Sequence, residues 1–260
     1  MRELRGTNRV IPRRSQPFDG QKQDGQGTVS VACCSICNGA GYLRVDVPFG
    51  HPHFGKPVAC QCTIAERKDR KRQQLYEMSH VEAFRNTHFG TFNSRLPGVR
   101  KACQEAMAYA KNLNGWLLFV GPHGSGKTHL AAAIAHQCLE NGWEVLFAVV
   151  PDVLDHLRAA FAPTATEVYD QLFAKMRETE LLVLDDLGAQ QSSPWANEKL
   201  FQLLNYRYTM GIPTVITTHP KALHDLDQRL RSRLSDTGLV HWVMLDRAKD
   251  YRPYKPSRHR

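Results

Sequence analysis

The stretch GPHGSGKTH, residues 121–129, decides how the rest of this chain is read. Glycines at 121, 124 and 126, followed by Lys127 and Thr128, have the spacing of a loop built to hold phosphate. Glycine places no Cβ in the way, so consecutive backbone N–H groups turn inward toward phosphate oxygens. A helix starting at Lys127 adds the positive end of its dipole. In that arrangement Lys127 reaches the β and γ phosphates of ATP, and the Thr128 hydroxyl ligates Mg2+. Gly121, Pro122, His123, Gly124, Ser125, Gly126 and His129 complete the stretch expected to contact the nucleotide, with His123 read as a solvated position.

The flanks agree. WLLFV (116–120) precedes the loop as a buried strand, and KTHLAAAIAHQCLE (127–140) follows as a helix. Further apolar runs at 144–150, 181–186, 213–218 and 240–246 read as four more strands. Helical patterns separate them at about 152–161, 165–178 and 195–210, and an amphipathic helix over 103–113 offers Ala106, Ala108, Ala110 and Leu113 for packing. Apolar strands alternating with helices predict an α/β fold of the P-loop NTPase kind, a five-stranded parallel sheet covered on both faces.

Ligands of such sheets bind at the carboxyl ends of the strands. LLVLDD (181–186) delivers Asp185 to that edge as a second Mg2+ anchor of the Walker B type. Asp186 then either orients the attacking water or caps a turn beside Gly188. PTVITTH (213–219) is expected beside that strand. Either Thr218 or His219 senses the γ phosphate there, or Thr217 and Thr218 fill β positions as branched residues do. DQRLRSRLSD (227–236) sets Arg229 and Arg233 four residues apart, on one helical face. They are either arginines offered to a neighbouring subunit's phosphate or a solvated face partnered by Asp227 and Asp236.

GPHGSGKTHLA, LLVLDDLG, NEKLFQLLNYRYTMGIPTVITT and RLRSRLSD, in this order, closely resemble the AAA+ ATPases of the DnaC/DnaI type, the bacterial replicative helicase loaders; the IstB transposition helpers are near relatives. The likeness covers roughly residues 80–252. It implies a lidless AAA+ core in which Lys127 and Thr128 are Walker A, Asp185 and Asp186 Walker B, Arg233 the arginine finger and Arg229 its companion. His219 stands where the family usually carries a sensor asparagine. The resemblance further implies Mg-dependent ATP hydrolysis, self-association through ATP-bridged interfaces, a hexameric DnaB-like helicase and single-stranded DNA as partners. For an IstB-like helper the partners are instead a transposase and duplex DNA.

Before this domain lies a cysteine unit. Cys34 and Cys37, then Cys60 and Cys62, form two close pairs that fit a structural Zn2+ site; free thiols and an Fe–S centre are the alternatives. Cys33 is able to replace Cys34, and His51 or His53 a thiolate. Cys103 and Cys138 read as small buried hydrophobes. The sequence divides into a basic arm (1–30), the zinc-binding module (31–63), a linker helix and lead-in segment (64–98), the ATPase domain (99–246) and a basic tail (247–260). Tyr206 and Arg207 read as offering stacking and charge to single strands, with core as the alternative for Tyr206. Seven cysteines beside a nucleotide loop argue for a reduced, cytoplasmic protein rather than a disulfide scaffold. The polar first 30 residues hold no leader-like apolar core, and no apolar run is long enough to span a membrane. A net charge of +9 over 260 residues invites a polyanionic partner.

Overall fold

A computed structural model describes residues 34–159, 166–191, 193–248 and 250–251. The expected basic arm and most of the expected basic tail lie outside these residues. The chain separates into two compact units, with the division between Lys71 and Arg72.

In the first unit a turn at residues 34–39 leads into β1 (Tyr42–Arg44), which pairs antiparallel with β2 (Pro57–Ala59), Tyr42 opposite Ala59. The helix α1 (Gln61–Met78) starts at the second cysteine pair and runs past the division. The hairpin escapes a reading by periodicity, because three-residue strands are too short to alternate visibly.

The second unit is a three-layer α/β domain. Single turns of 3-10 helix at His80–Phe84 and Phe89–Thr91 precede α2 (Arg100–Lys111), β3 (Trp116–Val120) and α3 (Lys127–Glu140). Then come β4 (Val145–Val149), α4 (Val150–Ala159), α5 (Thr166–Glu178), β5 (Leu181–Leu187), α6 (Pro194–Thr209), β6 (Thr214–Thr218), α7 (Pro220–Asp225), α8 (Gln228–Leu234) and β7 (Val240–Met244). Strands β3 to β7 form one parallel sheet in the order β4-β5-β6-β3-β7, which is the five-stranded sheet expected.

Both faces of this sheet are buried, and alternate strand residues supply them. Leu117, Phe119, Phe147, Val183 and Val215 join α2 and α3 on one side; Leu118, Leu146, Leu182, Leu184 and Ile216 join α4, α6 and α8 on the other. Helix α3 is buried along Leu130, Ala131, Ala132, Ala133, Ile134, Ala135 and Cys138, so its alanines permit close approach by sheet and neighbouring helix alike. The packing face of α2 is Ala102, Cys103, Ala106, Tyr109 and Ala110. Ala108, expected to share it, is exposed, because positions two apart point to different sides of a helix. Cys103 and Cys138 are buried, and burial pushes the Cys138 thiol up to about 12.

Candidate functional site

The phosphate loop occupies the turn between β3 and α3. Gly126 caps α3 at φ 95°, in the left-handed region that favours glycine, and the Phe92 ring lies so close that a Cβ would sit 2.8 Å from it. The Lys127 ammonium folds back onto its own loop, donating to the carbonyls of Gly121 (2.9 Å) and Pro122 (2.8 Å). Ser125 Oγ donates to the Pro122 carbonyl as well. The expected contact residue His129 turns away: its ring nitrogen lies 3.1 Å from the His88 carbonyl and 3.3 Å from Thr91 Oγ1.

The strand order sets β6 between β3, which carries the loop, and β5, which carries the aspartates. Asp185 is 2% exposed at the end of β5. Desolvation, with a smaller push from Asp186, raises its carboxyl to about 6; hydrogen bonds from Thr217 and Thr128 and the charge of Lys127 act the other way. Thr128, in the first turn of α3, thus lies close enough to Asp185, at the end of β5, to help lower its pKa. Asp186 is exposed, adopts φ 57°, and lies within an irregularity of the β5–β6 register between Leu184 and Leu187.

Thr217 is the residue that sequence reasoning missed. Its hydroxyl donates to Asp185 Oδ1 (2.7 Å) and accepts the Asp186 backbone N–H (2.9 Å), so one fully buried side chain holds both aspartates. It does more than fill a β position. Thr218 Oγ1 donates to the Leu187 carbonyl at 2.7 Å, which fixes the strand irregularity. His219 accepts the Lys221 N–H through Nδ1 and caps α7, and its ring stacks on His123 at 4.6 Å with the planes 15° apart. Desolvation first, then the charge of His123, Lys127 and Lys221, lowers its pKa. His123 is exposed, but the stack gives it a partner that a solvated loop position would not have.

Two residues of the expected tail reach the loop. The Tyr251 N–H donates to the Gly124 carbonyl (3.2 Å), and the Asp250 carboxylate lies where a Cβ on Gly124 would sit, 1.7 Å from that position. No side chain larger than hydrogen fits at 124 without displacing it.

Arg229 and Arg233 do share one face of α8. Both guanidinium groups lie over the Phe201 ring of α6, at 4.2 and 5.0 Å from its centroid. Arg229 pairs with Glu198 (3.2 Å) and Asp227 (3.1 Å) while remaining 47% exposed, and Arg233 Nε donates to Asn205 (2.9 Å). Asp236 accepts from Tyr208 rather than from an arginine. Arg207 is fully buried: its guanidinium donates to Thr214 and to the carbonyls of Met176, Arg177, Thr179 and Pro213, which removes it from any surface reading.

In the first unit the four sulfurs of Cys34, Cys37, Cys60 and Cys62 lie within 4.8 Å of one another. Cys34–Cys60 and Cys37–Cys62 are 3.8 and 3.5 Å apart. Four thiolates at zinc–sulfur bond length around a tetrahedral ion stand about 3.8 Å apart, so the donor set fits such an ion. Backbone N–H groups of Cys37 and Ile36 lower Cys34 to about 7, and the Gly41 N–H lowers Cys37; hydrogen bonding with Cys37, then burial, pushes Cys62 up to about 12. Sulfurs so crowded share protons unless a cation replaces them. His51 and His53 face each other instead of this cluster, and Cys33 lies outside the described residues.

A parallel sheet with a glycine phosphate loop after one inner strand and a buried acid two strands away defines an ATP-binding protein of the P-loop, AAA+ class. Within that class, the chain belongs to the IstB-like ATP-binding proteins, whose family profile matches residues 60–249. It is 27% identical over 197 residues to the replicative helicase loader DnaC of Escherichia coli K12, covering 72% of this chain and 80% of that protein. An insertion-sequence ATP-binding protein of Sinorhizobium fredii is 34% identical over 150 residues, 56% of this chain and 48% of the relative. The crystal structure of the DnaC helicase loader superposes with a TM-score of 0.52 at 25% identity, covering 61% of this chain and 96% of that one. No helix of the described residues is long and apolar enough to cross a membrane.

Proposed function

We propose that this protein loads a hexameric replicative DNA helicase onto single-stranded DNA, and that ATP binding and hydrolysis at subunit interfaces switch it. The observation that carries the reading is the likeness to the DnaC loader, which extends over 80% of that protein's length. Within it, backbone N–H groups of the loop and the first turn of α3 receive the phosphates. The Lys127 ammonium exchanges its carbonyl partners at Gly121 and Pro122 for phosphate oxygens. Thr128 and Asp185 would hold Mg2+, which when bound neutralises charge on the β and γ phosphates. Asp186 orients the attacking water and accepts its proton, while Thr217 fixes the Asp185 carboxylate and the backbone of Asp186. Arg233, with Arg229 beside it, approaches the γ phosphate held by a neighbouring copy, so that nucleotide state reads out as interface strength. The four cysteines hold a structural Zn2+.

The test is retention of the replicative helicase from the same cell by the tagged protein under ATP and under ADP, with transfer onto single-stranded DNA measured in parallel. Nucleotide-independent retention, or none, ends the loader reading. The trans arginine is tested by mixing Arg233→Ala subunits with Lys127→Ala subunits; full turnover by Arg233→Ala alone rejects it. A second reading, an IstB-like helper that assembles on duplex DNA and directs a transposase, is favoured by the family profile and by the 34% identity to the insertion-sequence protein. ATP-dependent filaments on duplex DNA without helicase retention would select it.

A further inference from the structure

The hairpin of the first unit carries a feature that neither the metal cluster nor the nucleotide site uses. Between Arg44 and Pro57 the chain leaves β1, folds over and returns to β2. Val45 and Val47 continue the alternation of β1 and are partly covered; every residue from 48 to 56 is exposed. That tip reads PFGHPHFGK, with four rings, two prolines, two glycines and one lysine. Phe49 is 90% exposed and Phe54 49% exposed. The two rings meet edge to face at 5.4 Å, and the rings of His51 and His53 lie 5.5 Å apart.

The tip is wound rather than open. The N–H of His51 donates to the Pro48 carbonyl (3.1 Å), that of Phe54 to His51 (2.9 Å) and that of Lys56 to His53 (3.2 Å). His53 N–H also donates to His51 Nδ1 (3.2 Å), and the Cys60 N–H closes the base of the hairpin on the Gly41 carbonyl (2.9 Å). Successive turns and the neighbouring cysteine cluster therefore hold the rings outward, away from any core of their own.

The chemistry of the tip selects among partners. Aromatic side chains serve protein and nucleic-acid interfaces alike, so the selection rests on the charge around the rings and on the absence of exposed aliphatic side chains beside them. The excursion has one carboxylate, the exposed Asp46 before the tip; from 47 to 60 there is none, and the exposed apolar groups of the tip, prolines apart, are rings. Rings present flat faces on which unpaired bases stack, and lysine and protonated histidine attract phosphate. Arg44 at the start of the excursion is exposed, and Arg67 donates to the Tyr42 hydroxyl (2.7 Å) with its guanidinium 6.0 Å from that ring, a further cation beside an aromatic.

We propose that the hairpin tip is a stacking platform for single-stranded nucleic acid, with Phe49 and Phe54 taking unpaired bases and Lys56 and Arg44 facing the backbone phosphates. The proposal rests on the reading of single-stranded DNA as a partner and names the element that grips its bases.

The test uses the full chain with its metal, a labelled oligothymidine, and an abasic oligomer of the same length and charge. The wild-type protein should prefer the oligothymidine. The Phe49→Ala/Phe54→Ala variant should bind it more weakly by about thirtyfold or more and lose most of that preference, because each of the two rings loses a stacked base. Zinc content reports whether the variant keeps its fold. Independently, Phe49→Trp should show fluorescence quenching by oligothymidine and little by the abasic strand. Unchanged affinity in the double variant, or an unquenched Trp, overturns the platform while leaving the DNA partner intact. Loss of helicase retention with unchanged DNA affinity overturns it in favour of a protein-docking surface. Failure of the wild-type protein to bind any single strand, with or without ATP, rejects the partner itself.

Discussion

The phosphate loop and the cysteine cluster are both cages for charge, and the chain builds them in opposite ways. The phosphate loop hangs from a sheet whose two faces are buried, so its glycines, Lys127 and the acids of β5 are held by a core of dozens of apolar side chains. The cysteine cluster has two three-residue strands, the start of one mostly exposed helix, and four sulfurs within 4.8 Å. A site carried by a core keeps its shape when its ligand leaves. One built from its own ligands does not.

The largest expected effect follows from that contrast. Removing metal with a chelator, or replacing Cys37 and Cys60 by serine, should open the first unit to protease between residues 34 and 60 and leave melting of the sheet domain unchanged. Zinc–thiolate sites of this size contribute about 10–16 kcal/mol of apparent binding energy to folding. Purified protein that holds no zinc, or a first unit that stays protease-resistant after chelation, would break the comparison.

Next in size, Lys127→Ala should lower ATP turnover by about a hundredfold or more, the scale of losing one preorganised charge at developing phosphate charge. Melting should remain close to wild type, since the Lys127 ammonium donates to the loop carbonyls of Gly121 and Pro122. A large drop in melting temperature would show that the loop depends on its own side chains after all.

Thr217→Val tests the hydroxyl between the two acids. It strands a buried carboxylate lone pair and the Asp186 N–H, each costing about 1–3 kcal/mol, so turnover should fall about tenfold or more with KM little changed. Thr217→Ser should restore most of it. Equal loss in both variants would reduce Thr217 to packing.

The smallest effect is one of sign. Burial raises the Asp185 carboxyl to about 6, above the ordinary carboxylate value, so its ionised form costs stability above that pH and the cost fades as pH falls through 6. The nucleotide-free Asp185→Asn variant should therefore be more stable than wild type at pH 8, by about 1–2 kcal/mol. Its advantage should be roughly halved near pH 5 and vanish only below about pH 4, where the carboxyl is protonated in the unfolded chain as well. Denaturant titrations at the two pH values decide it.

Much of this was legible in advance, for identifiable reasons. The five strands of the sheet are runs of apolar residues bounded by turn formers, and all five lie within two residues of where their patterns place them. Cys34, Cys37, Cys60 and Cys62 were readable as a set because two close pairs need only a short hairpin to meet. What could not be read involves contacts between distant segments. His129 was grouped with the phosphate loop by sequence, yet its ring belongs to His88 and Thr91 of the preceding segment. Arg207 carries a charge that reads as surface, yet five oxygens in the interior satisfy it.

By itself the sequence determined the local chemistry: where glycine allows a phosphate loop, where acids end a buried strand, where thiols pair, and which arginines share a helical turn. Those depend on spacing along the chain and on the periods of helix and strand. That β6 lies beside β5 was expected from the sequence; the rest of the strand order was decided only in three dimensions. Because β6 lies between β3 and β5, Thr217 rather than its neighbours joins the two acids, and His219 meets His123. Sheet order is chosen by how two apolar faces are covered at once, a property of the whole domain that no single stretch contains.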